Sequence, residues 1–330
     1  MVQLVRSATV ASRLLEGRQS VVTFGNFDGL HLGHQALLSQ LRGNANVTLT
    51  RVVCTFYPHP RTFFMRRSDR SALGPLGRLT TNRDKLRLLR NAGVDMLYAM
   101  RFTDSLASLV PEEFVDQVLV NTLRAAAVVV GEDWRFGHRR EGDVATLKRW
   151  GHQLGFTVTV CPEVTVDGDA VRSSRIRLAL NSGEVAFARR LLGRPYSLEG
   201  HVTRGDQRGR QIGFPTANLR PGPYVVPRNG VYATLARIVG EERRGYLPAV
   251  TNVGIRPTFS GEGVLVETHL LGEQGLDLYG KRLRVAFVER IRDEQRFAGV
   301  EALVKQIERD CEAAAAILAA ENEIHSATDD

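Results

Sequence analysis

The 330-residue sequence predicts an α/β fold in two parts. The first is a Rossmann-like parallel sheet with helices on both faces; the second is an antiparallel six-stranded β-barrel with a C-terminal helix. Three observations predict it. Apolar runs alternate with amphipathic stretches over the first half, the pattern of βαβ units. Beyond residue 186, short alternating strands follow one another with only turn residues between them. The chain also exceeds the roughly 250–300 residues at which a single core stops growing.

The first part opens with the apolar run Val21-Val22-Thr23-Phe24, the turn Gly25 to His34 and a helical stretch Gln35 to Leu41. Next come a strand Val52–Phe56, a helix Asn82–Asn91, a strand Met96–Phe102, a helix opening at Pro111 and a strand Ala126–Val130. A helix Val144–Leu154 and a strand Thr157–Val160 complete the alternation, which requires a parallel sheet covered on both faces. Asn181 to Arg194 reads as a helix and exit, so the boundary is placed near Ala186, giving domains 1–186 and 187–330. The second part carries strands 197–203, 230–239, 245–252, 264–270 and 283–291, arranged as a barrel or sandwich. Phe297, Val300, Val304, Ile307 and Cys311 then recur at intervals of three and four, an amphipathic helix whose stripe is structural.

Composition narrows the class. With 43% hydrophobic and 24% charged residues, the chain reads as a globular protein. Arg6, Arg13, Glu16 and Arg18 interrupt the apolar residues of the start, and no stretch approaches a membrane span, so a cytoplasmic protein without a membrane partner is expected. Cys54, Cys161 and Cys311 fit neither a disulfide framework nor a zinc site and are expected to be buried thiols. The net charge of +8 is uneven: residues 1–186 hold 24 Lys and Arg against 17 Asp and Glu, the remainder 20 against 19. Such a balance suits nucleic acid or small polyanions, and the second is preferred. The basic cluster Arg61 to Arg78, interleaved with Phe63, Phe64, Gly74, Pro75 and Gly77, reads as a mobile loop more than a groove-filling helix.

Phosphate chemistry is the natural reading of Gly25-Asn26-Phe27-Asp28-Gly29-Leu30-His31-Leu32-Gly33-His34. Glycines let the backbone approach a bulky anion, the helix N-terminus offers unpaired N–H groups, and two imidazoles supply donors. A solvated helix face or half of a metal site fits the histidines alone equally well. In a parallel sheet, ligands bind beyond the carboxyl ends of the strands, which draws attention to Phe56-Tyr57-Pro58-His59-Pro60 and to Gly131-Glu132-Asp133-Trp134-Arg135-Phe136-Gly137. There Asp133 and Arg135 fit magnesium and phosphate contacts, or simply a charged turn. Arg172-Ser173-Ser174-Arg175-Ile176-Arg177 combines capping serines with arginines that can take phosphate oxygens.

In the second part, Gly205, Gly209 and Gly213 allow N–H groups to wrap a phosphate, while Thr216 and Asn218 place neutral oxygens on one side of an extended segment, as magnesium prefers. By itself the stretch also fits a glycine-rich hairpin. Glu267, with Leu265 and His269 on its strand face, fits a solvated barrel exterior or a base for transfer to an alcohol.

Together these motifs resemble a known family. The Gly25–His34 stretch is similar to the H-x-G-H signature of nucleotidyltransferases in the extended form of FAD synthetases, and the Gly131–Gly137 loop and the Ser173–Arg177 segment resemble further motifs of that group. Arg172 and Ser174 depart from its usual Ser and Thr. Gly213-Phe214-Pro215-Thr216-Ala217-Asn218, Asn252 to Phe259 and Val266-Glu267-Thr268-His269-Leu270 are similar to riboflavin kinases. The resemblance spans nearly the whole chain and implies a bifunctional riboflavin kinase and FMN adenylyltransferase acting on ATP with Mg2+, riboflavin and FMN, and releasing pyrophosphate in the second step.

It further implies His31, His34 and Glu267 as catalytic groups. Gly25, Asn26, Phe27, Asp28, Gly33, Arg172, Ser173, Ser174 and Arg177 are implied to bind ATP for adenylyl transfer, and Phe56, Pro58, His59, Asp133 and Arg135 to meet its flavin. For the kinase, Gly205, Arg210, Gly213, Pro215, Thr216 and Asn218 are implied ATP ligands and Asn252, Arg256 and Phe259 flavin contacts. Magnesium is implied at Thr216 and Asn218, with Asp133 a further ligand. Two rivals stand beside this reading: an enzyme with one working domain and one flavin-binding domain, and a basic nucleic-acid-binding module. Oligomeric state is left open.

Overall fold

The computed structural model describes residues 2–43, 49–65, 77–205, 208–241, 245–258, 261–273 and 276–326. The chain forms two compact units, one of residues 1–76 and 80–172, the other of 77–79 and 173–330.

In the first unit the expected alternation is present. Strands β1 (Gln3–Val5), β2 (Ser20–Phe24), β3 (Thr50–Tyr57), β4 (Met96–Arg101), β5 (Ala125–Gly131) and β6 (Thr157–Cys161) form one parallel sheet in the order β1-β4-β3-β2-β5-β6. Helices α1 (Ala8–Leu14), α2 (Leu32–Gly43), α3 (Pro60–Met65), α4 (Asn82–Asn91), α5 (Asp104–Ser108), α6 (Pro111–Phe114) and α7 (Val144–Leu154) connect the strands. Because successive strand residues face opposite ways, the sheet divides its apolar residues between two cores. Val22, Phe24, Cys54, Val128 and Val130 join one core, with Phe114, Leu119 and Leu147. Val21, Val53, Ala127 and Val129 join the other, with Leu38, Leu41 and Leu89. A hairpin of β7 (Thr165–Val166) and β8 (Asp169–Ala170) follows the sheet.

The second unit begins with α8 (Ser173–Ser182) and α9 (Val185–Leu192). Strands β9 (Tyr196–Thr203), β10 (Ala217–Arg220), β11 (Gly230–Ile238), β12 (Leu247–Thr258), β13 (Gly261–Leu270) and β14 (Arg282–Arg292) form a closed antiparallel barrel in the order β10-β13-β12-β11-β14-β9. The short α10 (Arg208–Gln211) precedes β10, and α11 (Val300–Ser326) follows β14. Ala314 and Leu318 of α11 pack on Val231, Ala233, Val250 and Val288. Arg292 holds the same helix, its Nε and Nη2 reaching Asp310 at 2.8 and 2.7 Å.

Four readings need correction. The basic cluster is not simply a loop, since Pro60–Met65 is helical; Arg78 pairs with Tyr224, and residues 66–76 lie outside the described residues. The stretch Asn181–Arg194 is not one helix but parts of two, broken at Gly183, whose φ of +84° no helix contains. The helix expected to open at Pro111 is present and continues over Val115–Thr122 with i→i+5 bonds. Phe297 lies before α11 and Val300 is 62% exposed, so the packed stripe is set further along, at Cys311, Ala314 and Leu318. Cys54 and Cys161 are buried thiols, whereas Cys311 is half-buried, its pKa raised to about 11 by desolvation and then by nearby acids. No helix among the described residues is long and apolar enough to cross a membrane.

Candidate active sites

In the first unit the turn between β2 and α2 is tightly determined. Gly25 N–H donates to Cys54 O at 3.0 Å, fastening the turn to β3. Phe27 and Leu30 take positive φ (49° and 41°), a conformation costly for side chains of this size; both are buried, so packing holds the strain in place. Asp28 is buried, and its Oδ1 accepts from Thr80 N–H and Thr80 Oγ1, each at 3.0 Å, while Thr80 Oγ1 accepts from Gly29 N–H at 3.0 Å. This three-bond clasp ties the turn to the segment leading into α4.

The helix starts at Leu32, with Gln35 N–H donating to His31 O at 2.9 Å. The His31 and His34 rings stack with centroids 3.7 Å apart and planes 22° apart, and Phe27 lies against His34 at 4.9 Å. Gly33 makes room for this arrangement: a Cβ there would sit 3.3 Å from the His31 ring and 3.4 Å from Val171 O. Asn26 is exposed beside the pair in sequence. The outcome is two imidazoles at the N-terminus of a helix, the place where backbone N–H groups and the helix dipole favour an anion.

Other expected residues of this unit lie after strands, as the fold requires. Phe56 ends in a cluster with Phe63, Phe64 and Phe102, whose rings meet edge-on at 5.2 to 5.8 Å. Phe64 is 54% and Tyr57 62% exposed, leaving apolar ring surface facing outward beside Pro58 and His59. Phe63, Phe64 and Phe102 were passed over from sequence; the aromatic pair inside the basic cluster was the available signal. Thr80 was passed over too, its signal being two threonines ahead of α4. Asp133 and Arg135 are exposed, and Arg135 Nη1 pairs with Asp143 Oδ2 at 3.4 Å. Arg172 is engaged by Glu163 through Nε at 3.2 Å and Nη2 at 2.5 Å. Ser173, Ser174 and Arg177 belong to the second unit, at the start of α8, where Arg177 Nε donates to Gly77 O at 3.0 Å.

In the second unit strand register assembles a row. Asn218 on β10 pairs with Glu267 on β13, which pairs with Asn252 on β12. Paired residues share a face, so two amides flank one carboxylate at the roughly 5 Å spacing of neighbouring strands. All three are half-buried, between strand neighbours Ala217, Leu219, Thr251, Val253, Val266 and Thr268 that are buried. Behind the row, inside the barrel, Thr234, Thr251 and Thr268 chain their hydroxyls at 2.8 and 3.0 Å and hold the register. Thr216 lies in the loop just before β10, its Oγ1 3.6 Å from where a Cβ on Gly209 would sit. His269 Nδ1 is 2.8 Å from Pro215 O, pinning the loop that carries Thr216. A Cβ on Gly205 would lie 2.5 Å from Asn218 Nδ2, so a side chain there would push the Asn218 amide aside. Gly213 takes φ +91° in the same loop, and Arg210 there is exposed. Arg256 lies on β12, and Phe259 falls outside the described residues. Thr216 and Asn218 carry neutral side-chain oxygens of the kind a hard cation such as magnesium takes.

Both halves of the chain match known protein families. Residues 15–175 match the FAD synthetase family and residues 192–318 the riboflavin kinase family. The chain is 40% identical to the bifunctional riboflavin kinase/FMN adenylyltransferase of Escherichia coli (strain K12) over 88% of its own length and 90% of the relative's. It is 36% identical to that of Bacillus subtilis (strain 168) over 89% and 91%. A solved structure described as a macrolide-efflux protein from Streptococcus pneumoniae superposes with a TM-score of 0.79 at 32% identity, covering 90% of this chain and 94% of that one. With both halves matched in order and nearly the full length aligned, the chain belongs to the bifunctional riboflavin kinase/FMN adenylyltransferase family.

Proposed function

We propose that the two activities are divided between the two sites: residues 187–330 phosphorylate riboflavin to FMN, and residues 1–186 adenylylate FMN to FAD, each with one ATP. What carries this reading is that the reactive groups fall into two separate sets, the stacked His31–His34 pair on a helix N-terminus and the Asn218–Glu267–Asn252 row on a barrel.

For the kinase step, Glu267 accepts the proton of the ribityl 5′-hydroxyl as its oxygen attacks the γ-phosphorus of ATP, and ADP departs. Asn218 and Asn252 on either side orient the carboxylate and the hydroxyl. Thr216 and Asn218 would hold Mg2+, which supplies charge neutralisation of the phosphates. Glycines at 205 and 213 let the loop backbone close on them, Arg210 and Pro215 lie in the same loop, and Arg256 and Phe259 serve the flavin.

For the second step, a phosphate oxygen of FMN attacks the α-phosphorus of ATP, the α–β bridging bond breaks, and pyrophosphate leaves. The nucleophile is already an anion, so the protein's work is to position and neutralise. His31 and His34 donate to the α-phosphate, and Gly25, Asn26, Phe27 and Gly33 shape the turn around it. Asp28 contributes by its clasp to Thr80. The Arg172–Arg177 motif is assigned to the same nucleotide on the motif alone. The outward aromatic surface of Phe64, packed with Phe102 beside the half-buried Phe56, suits with Pro58 and His59 a planar isoalloxazine. Asp133 and Arg135 complete that site, Asp133 as a further magnesium ligand. A demand for ATP and two buried free thiols fit work in the cytoplasm.

The test is product analysis with riboflavin, ATP and magnesium. His31→Ala/His34→Ala should accumulate FMN without FAD; Glu267→Gln should convert supplied FMN to FAD while leaving riboflavin untouched. Loss of both activities in either folded variant would refute independent sites.

A further inference from the structure

The turn just beyond the Gly131–Gly137 loop carries two arginines in a conformation that arginine does not favour. Glu141 N–H donates to His138 O at 3.0 Å, closing a tight turn whose central residues are Arg139 (φ 50°, ψ 18°) and Arg140 (φ 62°). Positive φ at both central positions is the geometry for which Asn-Gly is the usual pair, because a larger side chain crowds the backbone there. Contacts on both sides over-determine the turn. Phe136 and Gly142 exchange backbone bonds at 3.1 and 2.9 Å, Arg140 N–H donates to Gly137 O at 3.0 Å, and His138 N–H donates to Leu109 O at 2.6 Å. A Cβ on Gly137 would lie 2.8 Å from Pro111 N, so that flank is closely packed. Strain kept where an Asn-Gly pair would relieve it points to a use for the two side chains.

Both arginines are exposed, and among the described residues neither side chain makes an ion pair or a hydrogen bond. Glu141, the nearest acid in sequence, is exposed and pairs with neither, whereas Arg135 is engaged by Asp143 at 3.4 Å. Position decides what the pair can meet. β5 lies beside β2 in the parallel sheet, so the loops after both strands rise from one edge, the edge at which such sheets bind ligands. The Trp134 ring lies 5.3 Å from Phe24, the last residue before the histidine turn, and stacks on Phe136 at 4.7 Å. On the other flank His138 Nδ1 is 3.3 Å from Ala107 O in α5, a helix that begins just after Phe102 of the outward aromatic surface. The arginine turn is thus tied both to the base of the histidine turn and to the segment following the surface assigned to isoalloxazine.

We infer that Arg139 and Arg140 bind the phosphate of FMN and hold it, as nucleophile, against the α-phosphate of ATP. Two anions must meet for that step, and fixed cations offset their repulsion. Guanidinium groups match phosphate oxygens with paired N–H donors and keep their charge at any working pH. The inference rests on the reading of this sheet edge as the adenylyl-transfer site.

The experiment compares two full-length double variants with the parent chain. Arg139→Asn/Arg140→Gly removes the charges and relieves the backbone; Arg139→Lys/Arg140→Lys keeps both charge and strain. In the first, the urea midpoint read by tryptophan fluorescence should rise, because no long side chain is left at positive φ. Its KM for FMN in adenylylation should nevertheless increase by about tenfold or more, the loss expected when hydrogen bonds to a charged group are removed. The KM for ATP and the rate of riboflavin phosphorylation should stay near the parent values, and the second variant should keep most of the affinity for FMN. A parental KM for FMN in the first variant overturns the inference. An equal rise in the KM for ATP, or an equal loss in the second variant, also overturns it, since either marks loop shape rather than charge at the flavin phosphate. A midpoint at or below the parent's removes the strain argument and overturns it too. Retained FAD synthesis in His31→Ala/His34→Ala overturns the underlying site reading instead, so the two failures are distinguishable.

Discussion

Replacing Thr80 by valine isolates the clasp that shapes the adenylyl-transfer turn. The substitution keeps side-chain volume and removes one oxygen, which in the parent donates to Asp28 Oδ1 and accepts from Gly29 N–H. All three groups are buried, so water does not replace the lost bonds. A hydrogen bond to a charged group is worth about 1.5–3 kcal/mol and a neutral one about 1 kcal/mol, so the variant should lose about 2.5–4 kcal/mol. Both tryptophans of the chain, Trp134 and Trp150, pack against a core of the first unit, so urea unfolding followed by tryptophan fluorescence reads that unit. The midpoint should drop accordingly, FAD formation from FMN should fall, and FMN formation from riboflavin should hold. Thr80→Ser, which keeps the hydroxyl, should recover most of both losses. A Thr80→Val protein within about 0.5 kcal/mol of the parent and with full adenylylation would refute the idea that the clasp sets the turn.

Gly205→Ala should cut riboflavin phosphorylation at least tenfold and leave adenylylation of supplied FMN intact, because the new Cβ would lie 2.5 Å from Asn218 Nδ2 and displace it from the row beside Glu267; separate assays of the two steps decide this. Thr251→Val breaks both links of the hydroxyl chain inside the barrel and should cost about 1–3 kcal/mol by calorimetry, whereas valine at 234, 251 and 268 together should cost less, since no hydroxyl is then left without its chain partners. Asp95 offers a pH test: burial pushes its pKa up, but hydrogen bonds and charge from Arg51, with Nε at 2.8 Å, outweigh that and hold it below the usual value. A carboxylate with a depressed folded pKa stabilises the protein above its unfolded pKa and loses that contribution as pH falls through the folded one. The stability gap between parent and Arg51→Met should therefore be present at pH 7 and close below about pH 4; the pair is exposed enough that the gap should be at most about 1 kcal/mol. A gap that does not shrink in acid would show that the pair acts by packing alone.

Much of this was legible in the sequence because periodicity is a local property. The helices Asn82–Asn91 and Val144–Leu154 have the bounds their patterns give, and the five expected strands of the sheet are present. Where local pattern and tertiary setting diverged, the reading failed. Pro60–Met65 carries loop-like composition but folds as a helix whose Phe63 packs on Phe102. Val300 keeps helical spacing yet faces water, since where α11 meets the barrel decides which stripe is buried.

The sequence by itself determined the order of elements, the class of each part and the family, all carried by short-range spacing and by motifs of ten residues or so. Only the tertiary structure decided which side chains meet across long separations. Asp28, a motif residue read as a phosphate contact, turns its carboxylate to Thr80, 52 residues away. Glu267, which the sequence left between a solvated exterior and a reactive position, stands half-buried between Asn218 and Asn252. Lys85 reaches Asn26 from another helix. The reason is the same in each case: strand register and the docking of α4 depend on packing between segments distant in sequence, and in the barrel a one-residue slip, invisible to any local pattern, would send Glu267 to the opposite face.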